Sequence, residues 1–84
     1  MSEVVVPELG EGIHKAIIAY WHVKPGDLVK AEDDIVELMT DKAVFNVTAG
    51  LNGRVKEIYV NTGSQAGIGE ALALIDTTGN EIDV

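Results

Sequence analysis

Short apolar stretches rich in β-branched residues alternate with polar positions along the whole chain. Gly, Pro, Asn and Asp separate these stretches at residues 10–12, 24–27, 52–53, 61–63 and 67–69, which predicts tight turns there. No stretch sustains the 3.6-residue period of an amphipathic helix. The pattern therefore predicts an all-β sandwich or barrel with strands at residues 4–6, 16–23, 35–40, 43–48, 54–60 and 71–76.

The sequence also contains an internal repeat, because a displacement of 37 residues places its second half on its first. Apolar positions, a turn glycine and an acidic residue (Asp33 on Glu70) all coincide. The matched positions are Ile18/Val55, Trp21/Ile58, Val23/Val60, Gly26/Gly63, Val29/Ala66, Ile35/Leu72 and Leu38/Ile75. Two copies are too few for a solenoid, which needs at least about three repeats. The repeat predicts a pseudo-twofold sandwich in which each half gives strands to both sheets.

One segment of the first half reads as a β-hairpin with Asp41 and Lys42 at its tip. Pairing across this tip brings Thr40 opposite Ala43, and continues outward from there along both strands. The register places four apolar residues on one face, and Glu37 and Asn46 together on the other. These four are Val36, Leu38, Phe45 and Val47. We therefore expect Lys42 to project into water.

Composition limits the classes of function that are open to the chain. With 84 residues, of which 46% are hydrophobic, it has enough apolar residues for one small domain but not for a large substrate cleft. It has no cysteine, which excludes disulfides and cysteine-ligated metals. A net charge of −8 disfavours binding to nucleic acid or to an anionic membrane. Neither a signal peptide nor an apolar span of about 18 residues is visible, so we expect a cytoplasmic protein.

Few residues suggest chemistry of their own. His14 and His22 have no third ligand at metal spacing, so no metal site is predicted. No Ser-His-Asp or paired-carboxylate arrangement can be argued, so the isolated domain is not expected to be an enzyme. Lys42 is the remaining candidate, although a lysine at a turn is most often only a solvated side chain. Its amine would be largely protonated at neutral pH and would need an external enzyme to activate it.

Three stretches together resemble the lipoyl domain of the dihydrolipoyl acyltransferase component of 2-oxo acid dehydrogenase complexes. They are the opening at residues 7–13, the first internal turn at residues 23–27 and the lysine tip at residues 40–43. The resemblance implies a flattened barrel of two four-stranded antiparallel sheets, with the lysine at one end and both termini at the other. We therefore expect a carrier domain over residues 1–78. The strand pattern is lost at the end of the chain, which predicts a fading strand or the start of a linker at residues 79–84.

The resemblance further implies that Lys42 carries lipoate in amide linkage to its ε-amine. Asp41, Ala43 and Thr40 would then aid recognition by a lipoate-protein ligase. The loop at residues 9–15, with Glu11 and Gly12, would aid recognition by a thiamin-diphosphate decarboxylase. The arm would visit that decarboxylase, the acyltransferase core and a flavoprotein, dihydrolipoyl dehydrogenase. His14, Lys15 and Met39 depart from residues common in relatives and lie near the expected partner surface.

Three other interpretations of the tip compete with this one. A biotin carrier domain shares the expected fold and the exposed lysine, but that family places methionine on each side of its lysine, whereas this chain has Asp41 and Ala43. A glycine-cleavage hydrogen carrier is disfavoured by the same Asp41 and by the short chain. An unmodified β-sandwich interaction module would leave Lys42 as an ordinary polar turn residue.

Overall fold

The computed structural model describes residues 1–77, and within that range it contains strands and no helix. The strands form two four-stranded antiparallel sheets, in the orders β1-β8-β6-β3 and β5-β4-β2-β7. The all-β prediction with two four-stranded sheets is therefore confirmed. The strand bounds are β1 Ser2–Val5, β2 Lys15–Trp21, β3 Leu28–Val29, β4 Asp34–Met39, β5 Val44–Thr48, β6 Gly53–Ile58, β7 Gln65–Gly67 and β8 Ala71–Asp76.

Six of these strands were predicted from the apolar pattern, and β3 and β7 were missed. These two strands have only two and three residues, which is too short for an alternating pattern to be recognised. β1 begins at Ser2 and not at residue 4, and β6 ends at Ile58 and not at residue 60. The segment predicted as a fading strand or linker, residues 79–84, lies outside the described residues.

The repeat appears in the structure as a pseudo-twofold relation between the two sheets. Adding 37 to the bounds of β2, β3 and β4 reproduces those of β6, β7 and β8 to within one residue. The hydrogen bonds between the halves correspond as well. The Gly26 N–H donates to the Val55 carbonyl at 2.7 Å, and the related Gly63 N–H donates to the Ile18 carbonyl at 2.8 Å. Each half is thus hydrogen-bonded to the other through a corresponding turn.

The core lies between the sheets and is formed by the inward side chains of both repeats. The apolar pairs matched in the sequence are largely buried, and Ile18, Ile35, Leu38, Leu72 and Ile75 are fully so. Ile35 and Val36 are buried consecutively, next to an irregularity in the β4–β5 register between Asp34 and Val36. No buried polar or charged side chain occurs among residues 1–77, so the buried side chains between the sheets are apolar.

The strand order places the Asp41-Lys42 tip far from the start of β1. β5 leads away from the tip, and the chain then enters β6 at Gly53. At that end Arg54 pairs with Asp76, and the neighbouring Ile75 pairs with Ser2. The start of β1 and the end of β8 therefore lie at the opposite end of the sandwich from the lysine tip.

Candidate functional site: the lysine tip and an adjoining groove

The hairpin formed by β4 and β5 has the register that the sequence predicts. Met39 pairs with Val44, Leu38 with Phe45, Glu37 with Asn46 and Val36 with Val47. Beyond the last strand pair, the Thr40 N–H donates to the Ala43 carbonyl at 2.9 Å. This bond closes a turn with Asp41 and Lys42 at its apex.

The Thr40 hydroxyl holds this turn from within. Its Oγ1 accepts hydrogen bonds from the Lys42 N–H at 3.1 Å and the Ala43 N–H at 3.0 Å, and it donates to the Ala43 carbonyl at 3.1 Å. A hydroxyl that satisfies nearby backbone groups in this way rigidifies a tight turn. Sequence reasoning placed Thr40 among recognition residues, and the structure adds a local role in fixing the backbone on both sides of Asp41.

The side chain of Lys42 is exposed, and its ammonium has no hydrogen bond or ion pair with any residue in the range 1–77. By contrast, Lys24 pairs with Asp27, with Nζ 3.2 Å from Oδ1. The neighbouring Asp41 and Ala43 are also exposed. The fold thus presents the Lys42 amine at the apex of a hydrogen-bonded turn, with no intramolecular contact to be broken before an enzyme can reach it.

The connection between β1 and β2, residues 6–14, lies beside this tip. Leu9 is buried and anchors the connection in the core, and the N–H of Ile13 donates to the carbonyl of Gly10 at 3.1 Å. Gly12 has a φ of +81°, a backbone conformation that glycine adopts without strain. The carbonyl of His14 accepts from the Ile68 N–H at 3.0 Å, which ties the end of the connection to the chain just beyond β7.

Between this connection and the tip lies an open groove of about 560 Å³. Ile17 and Met39, which pair across β2 and β4, contribute exposed apolar surface to it. The groove is lined by Gly12, Ile13, His14, Lys15, Ala16, Ile17, Met39, Thr40, Asp41, Lys42 and Gln65.

Four of the six residues predicted for the site line this groove, namely Gly12, Thr40, Asp41 and Lys42. The other two, Glu11 and Ala43, are exposed but do not line it. Sequence reasoning missed three lining residues from β2 and β7, namely Ala16, Ile17 and Gln65. Alternation along β2 would have directed Ile17 outward once Ile18 was assigned to the core.

Within residues 1–77, no group of three or more His, Asp or Glu side chains is arranged to hold a metal ion. None of the secondary structure in that range is a helix able to cross a membrane.

The comparison with known families decides the assignment. The sequence model described as "Biotin-requiring enzyme", the biotin/lipoyl family, matches residues 2–75. The chain belongs to this family. The family resemblance found in the three sequence stretches is thereby confirmed, and the match spans all eight strands except the last residue of β8.

The chain is also similar to individual proteins whose names refer to a lipoyl group. The chain is 38% identical over 79 residues to the dihydrolipoyllysine-residue acetyltransferase component of the pyruvate dehydrogenase complex of Bacillus subtilis (strain 168). That alignment covers 94% of this chain and 18% of the relative. The same component from Staphylococcus aureus (strain Mu50) is 36% identical over 74 residues, which are 88% of this chain and 17% of the relative. The chain thus spans less than a fifth of the length of the curated relatives it matches.

Among solved structures, the chain is similar to the lipoyl domain of the 2-oxoglutarate dehydrogenase complex from Azotobacter vinelandii. The TM-score is 0.71 at 36% identity, and the match covers 88% of this chain and 94% of that domain. The match therefore extends over nearly a complete domain of known structure.

Proposed function

We propose that Lys42 carries lipoate in amide linkage and that the domain is a lipoyl carrier. The observation that carries this proposal is the Lys42 amine, which is exposed and unpaired within residues 1–77 at the apex of a turn fixed by Thr40. Membership of the biotin/lipoyl family and similarity to a solved lipoyl domain support it.

The chain's own residues present the amine and do no bond-making themselves. During attachment, the Lys42 ammonium loses one proton to become a nucleophilic amine. Its Nζ then attacks the lipoyl carboxyl carbon, which a ligase has activated, and loses a second proton as the amide bond forms. The activating group departs with one carboxyl oxygen. When bound, the lipoyl dithiolane supplies a disulfide that can accept two electrons and an acyl group and pass both on. Thr40 keeps the anchor backbone fixed, so that mobility is confined to the side chain and its arm.

The domain would act by delivering this arm to the active sites of a 2-oxo acid dehydrogenase complex in the cytoplasm. We propose three destinations: a thiamin-diphosphate decarboxylase, the acyltransferase core of the parent protein and dihydrolipoyl dehydrogenase. Support comes from the relatives, which are named as components of the pyruvate dehydrogenase complex. Tethering raises the concentration of the arm at each reachable site, typically to the ~mM range for short flexible linkers.

A biotin carrier is the second candidate, because the family description names biotin. Both cofactors would be attached to the same amine, so the geometry of the tip does not separate them. The residues beside Lys42 favour lipoate: Asp41 and Ala43 stand where biotin carriers place methionine. The cofactor is therefore best decided by competition between the two ligases.

The test is co-expression of the chain with a lipoate-protein ligase and lipoate, and separately with a biotin ligase and biotin, followed by intact mass measurement. We expect one lipoyl adduct on the wild type and none on Lys42→Arg. Lys56→Arg is the matched control, because Lys56 is also exposed and lies on β6, away from the groove. Amide formation removes one positive charge, so the net charge falls from −8 to −9 and migration on a native gel becomes faster.

Each outcome identifies one interpretation. A lipoyl adduct that survives in Lys42→Arg would place the modification elsewhere and overturn the assignment. An adduct formed only with biotin would identify a biotin carrier. No adduct with either ligase, in a chain that unfolds cooperatively, would identify an unmodified interaction module.

A further inference from the structure

A row of exposed apolar side chains crosses three strands next to the lysine tip. Ile17 on β2 pairs with Met39 on β4, and Met39 pairs in turn with Val44 on β5. Their exposed fractions are 38%, 44% and 55%. These three neighbouring side chains form a continuous apolar strip that is exposed to water. Removing this strip from water by contact with another apolar group would be favourable in free energy.

The first two members of this strip belong to the groove that Lys42 also lines. Gly12, Ile13 and His14 form one side of the groove, and the tip forms the other. Its volume of about 560 Å³ lies within the ~300–1,000 Å³ that is typical of small-molecule sites. An apolar group attached to Lys42 would therefore start at the edge of an apolar surface of suitable size.

We propose that this groove is a resting seat for the lipoyl arm carried by Lys42, with Ile17 and Met39 as its floor. The inference rests on the proposed function, since it requires lipoate on that lysine. The arm is an aliphatic chain ending in a disulfide ring, and attachment replaces the Lys42 ammonium with a neutral amide. Both changes favour contact with apolar surface over water.

The covalent tether makes a weak contact sufficient. Because the arm is attached beside the groove, its local concentration there is of the order of mM or higher, so even a poor intrinsic affinity populates the seat. Met39 suits an arm that must leave again, because its unbranched thioether adapts to the shape of a ligand. A weakly held arm remains available to partner sites while it spends less time in water.

The first measurement is NMR on domain whose lipoyl adduct on Lys42 has been verified by mass. We expect cross-relaxation between the lipoyl methylene protons and the methyl groups of Ile17 and Met39. The contact with the Met39 methyl group should weaken in Ile17→Gln, and the contact with the Ile17 methyl groups should weaken in Met39→Gln. Leu28→Gln is the matched control: Leu28 is 69% exposed, but lies on β3 in the other sheet and should leave the contacts unchanged.

The second measurement is the rate at which a small phosphine reduces the lipoyl disulfide. A seated ring is shielded, so the observed rate is that of the free arm multiplied by the unseated fraction. If about half of the arms are seated, reduction is about twofold slower than in free lipoamide, and Met39→Gln should restore the faster rate.

The proposal is overturned if verified lipoyl domain shows no contact with Ile17 or Met39 and is reduced as fast as free lipoamide and as Met39→Gln. It is equally overturned if those methyl groups become protected only when a decarboxylase is added, or only as the domain concentration rises, because the strip would then face a partner or a second copy. Absence of the lipoyl mass on Lys42 is a separate result, which rejects the proposed function itself.

Discussion

Two connections that occupy related places in the repeat differ in length, and the difference coincides with the site. Residues 6–14 join β1 to β2 with nine residues, whereas residues 49–52 join β5 to β6 with four. The long connection brings Gly12 and His14 to the groove beside Lys42. The short one returns at once, held by the Ala49 N–H donating to the Asp33 carbonyl at 3.0 Å. The strands that recur in both halves form the two sheets, and the candidate site lies beside a connection that differs between the halves.

The hairpin itself is a second departure from the repeat. β4 folds back through the Thr40–Ala43 turn to pair with β5, whereas its counterpart β8 pairs with β1, to which no hairpin turn joins it. The position related to Lys42 by the repeat is Gly79, which lies outside the described residues. The β4–β5 pair therefore ends in a closed turn that presents a lysine, whereas the corresponding end of the β8–β1 pair, at the opposite end of the sandwich, consists of two separate strand ends.

The largest change in unfolding free energy is expected at the two turn glycines that the repeat relates, Gly26 and Gly63. Substituting each of them tests whether the two turns contribute equally to stability. Gly26 and Gly63 have φ values of +98° and +92°, with open space where a Cβ would lie. Gly26→Val and Gly63→Val should each lower the free energy of unfolding by about 1–3 kcal/mol, because a β-branched residue is strained at positive φ. Urea unfolding measures both changes.

Gly67→Ala is the control for these two variants. Its φ is not in the left-handed region, and an added Cβ would lie 3.7 Å from the His14 carbonyl oxygen, an ordinary contact. It should change stability much less than either valine variant. Unchanged unfolding in only one of the two valine variants would show that the related turns are not equivalent in energy.

A smaller effect is expected where the repeat is broken, at the threonine of the tip. Thr40→Val removes the hydroxyl that bonds the Lys42 and Ala43 N–H groups, and should cost about 1 kcal/mol in unfolding free energy. Amide exchange of Lys42 and Ala43 should accelerate, and lipoylation should slow because the lysine backbone is less ordered. Thr40→Ser keeps the oxygen and should preserve both properties. Equal exchange in the two variants would contradict the role given to the hydroxyl.

At Asp41 we expect a functional effect with almost no change in stability. The carboxylate is exposed and has no hydrogen-bond or ion-pair partner within residues 1–77. Asp41→Ala should change the unfolding free energy by less than about 0.5 kcal/mol while impairing lipoylation or later acyl transfer. Asp34→Ala, an exposed change at the other end of β4, should leave modification intact. Loss of the far-UV β signal in Asp41→Ala would instead show a structural role.

The body of the molecule could be predicted because its signals are local and occur twice. Alternation along β4 and β5 determines the hairpin register, and the 37-residue displacement relates Ile18 to Val55 from the amino-acid sequence alone. The groove could not be predicted in the same way, because it depends on where residues 6–14 pack. That position follows from the burial of Leu9 and from the bond between Ile68 and His14, and both are tertiary contacts.

The role of side chains that close turns could not be predicted from the sequence either. Asp33 and Glu70 coincide in the repeat, and the structure supplies the reason: each carboxylate accepts a hydrogen bond from the backbone N–H three residues before it, from Lys30 at 2.9 Å and from Gly67 at 2.9 Å. The sequence shows that an acidic residue recurs. Only the backbone geometry shows that it closes a turn and is not simply a solvated charge.

The smallest expected effect is on the pH dependence of stability. It concerns two positions that the repeat relates, of which only one carries a charged side chain. Asp27 corresponds to Ser64, and both residues end similar turns: the Asp27 N–H donates to the Lys24 carbonyl and the Ser64 N–H to the Asn61 carbonyl, each at 3.1 Å. The pKa of the Asp27 carboxyl is lowered because the Lys24 backbone N–H and then its ammonium donate to it, at 3.0 Å and 3.2 Å.

Because its folded pKa is depressed, Asp27 contributes stability above the usual carboxyl pKa of 3.8, and that contribution is lost as the pH falls through the lower folded value. Asp27→Asn keeps an acceptor for the Lys24 N–H but cannot ionise, so its unfolding free energy should depend less on pH than that of the wild type below about pH 4. Ser64→Ala changes the related turn without a titrating group and should keep the wild-type pH dependence. Parallel pH profiles for Asp27→Asn and the wild type would mean that the Lys24 contacts are too exposed to water to matter, and that the two turns are held by their backbone hydrogen bonds alone.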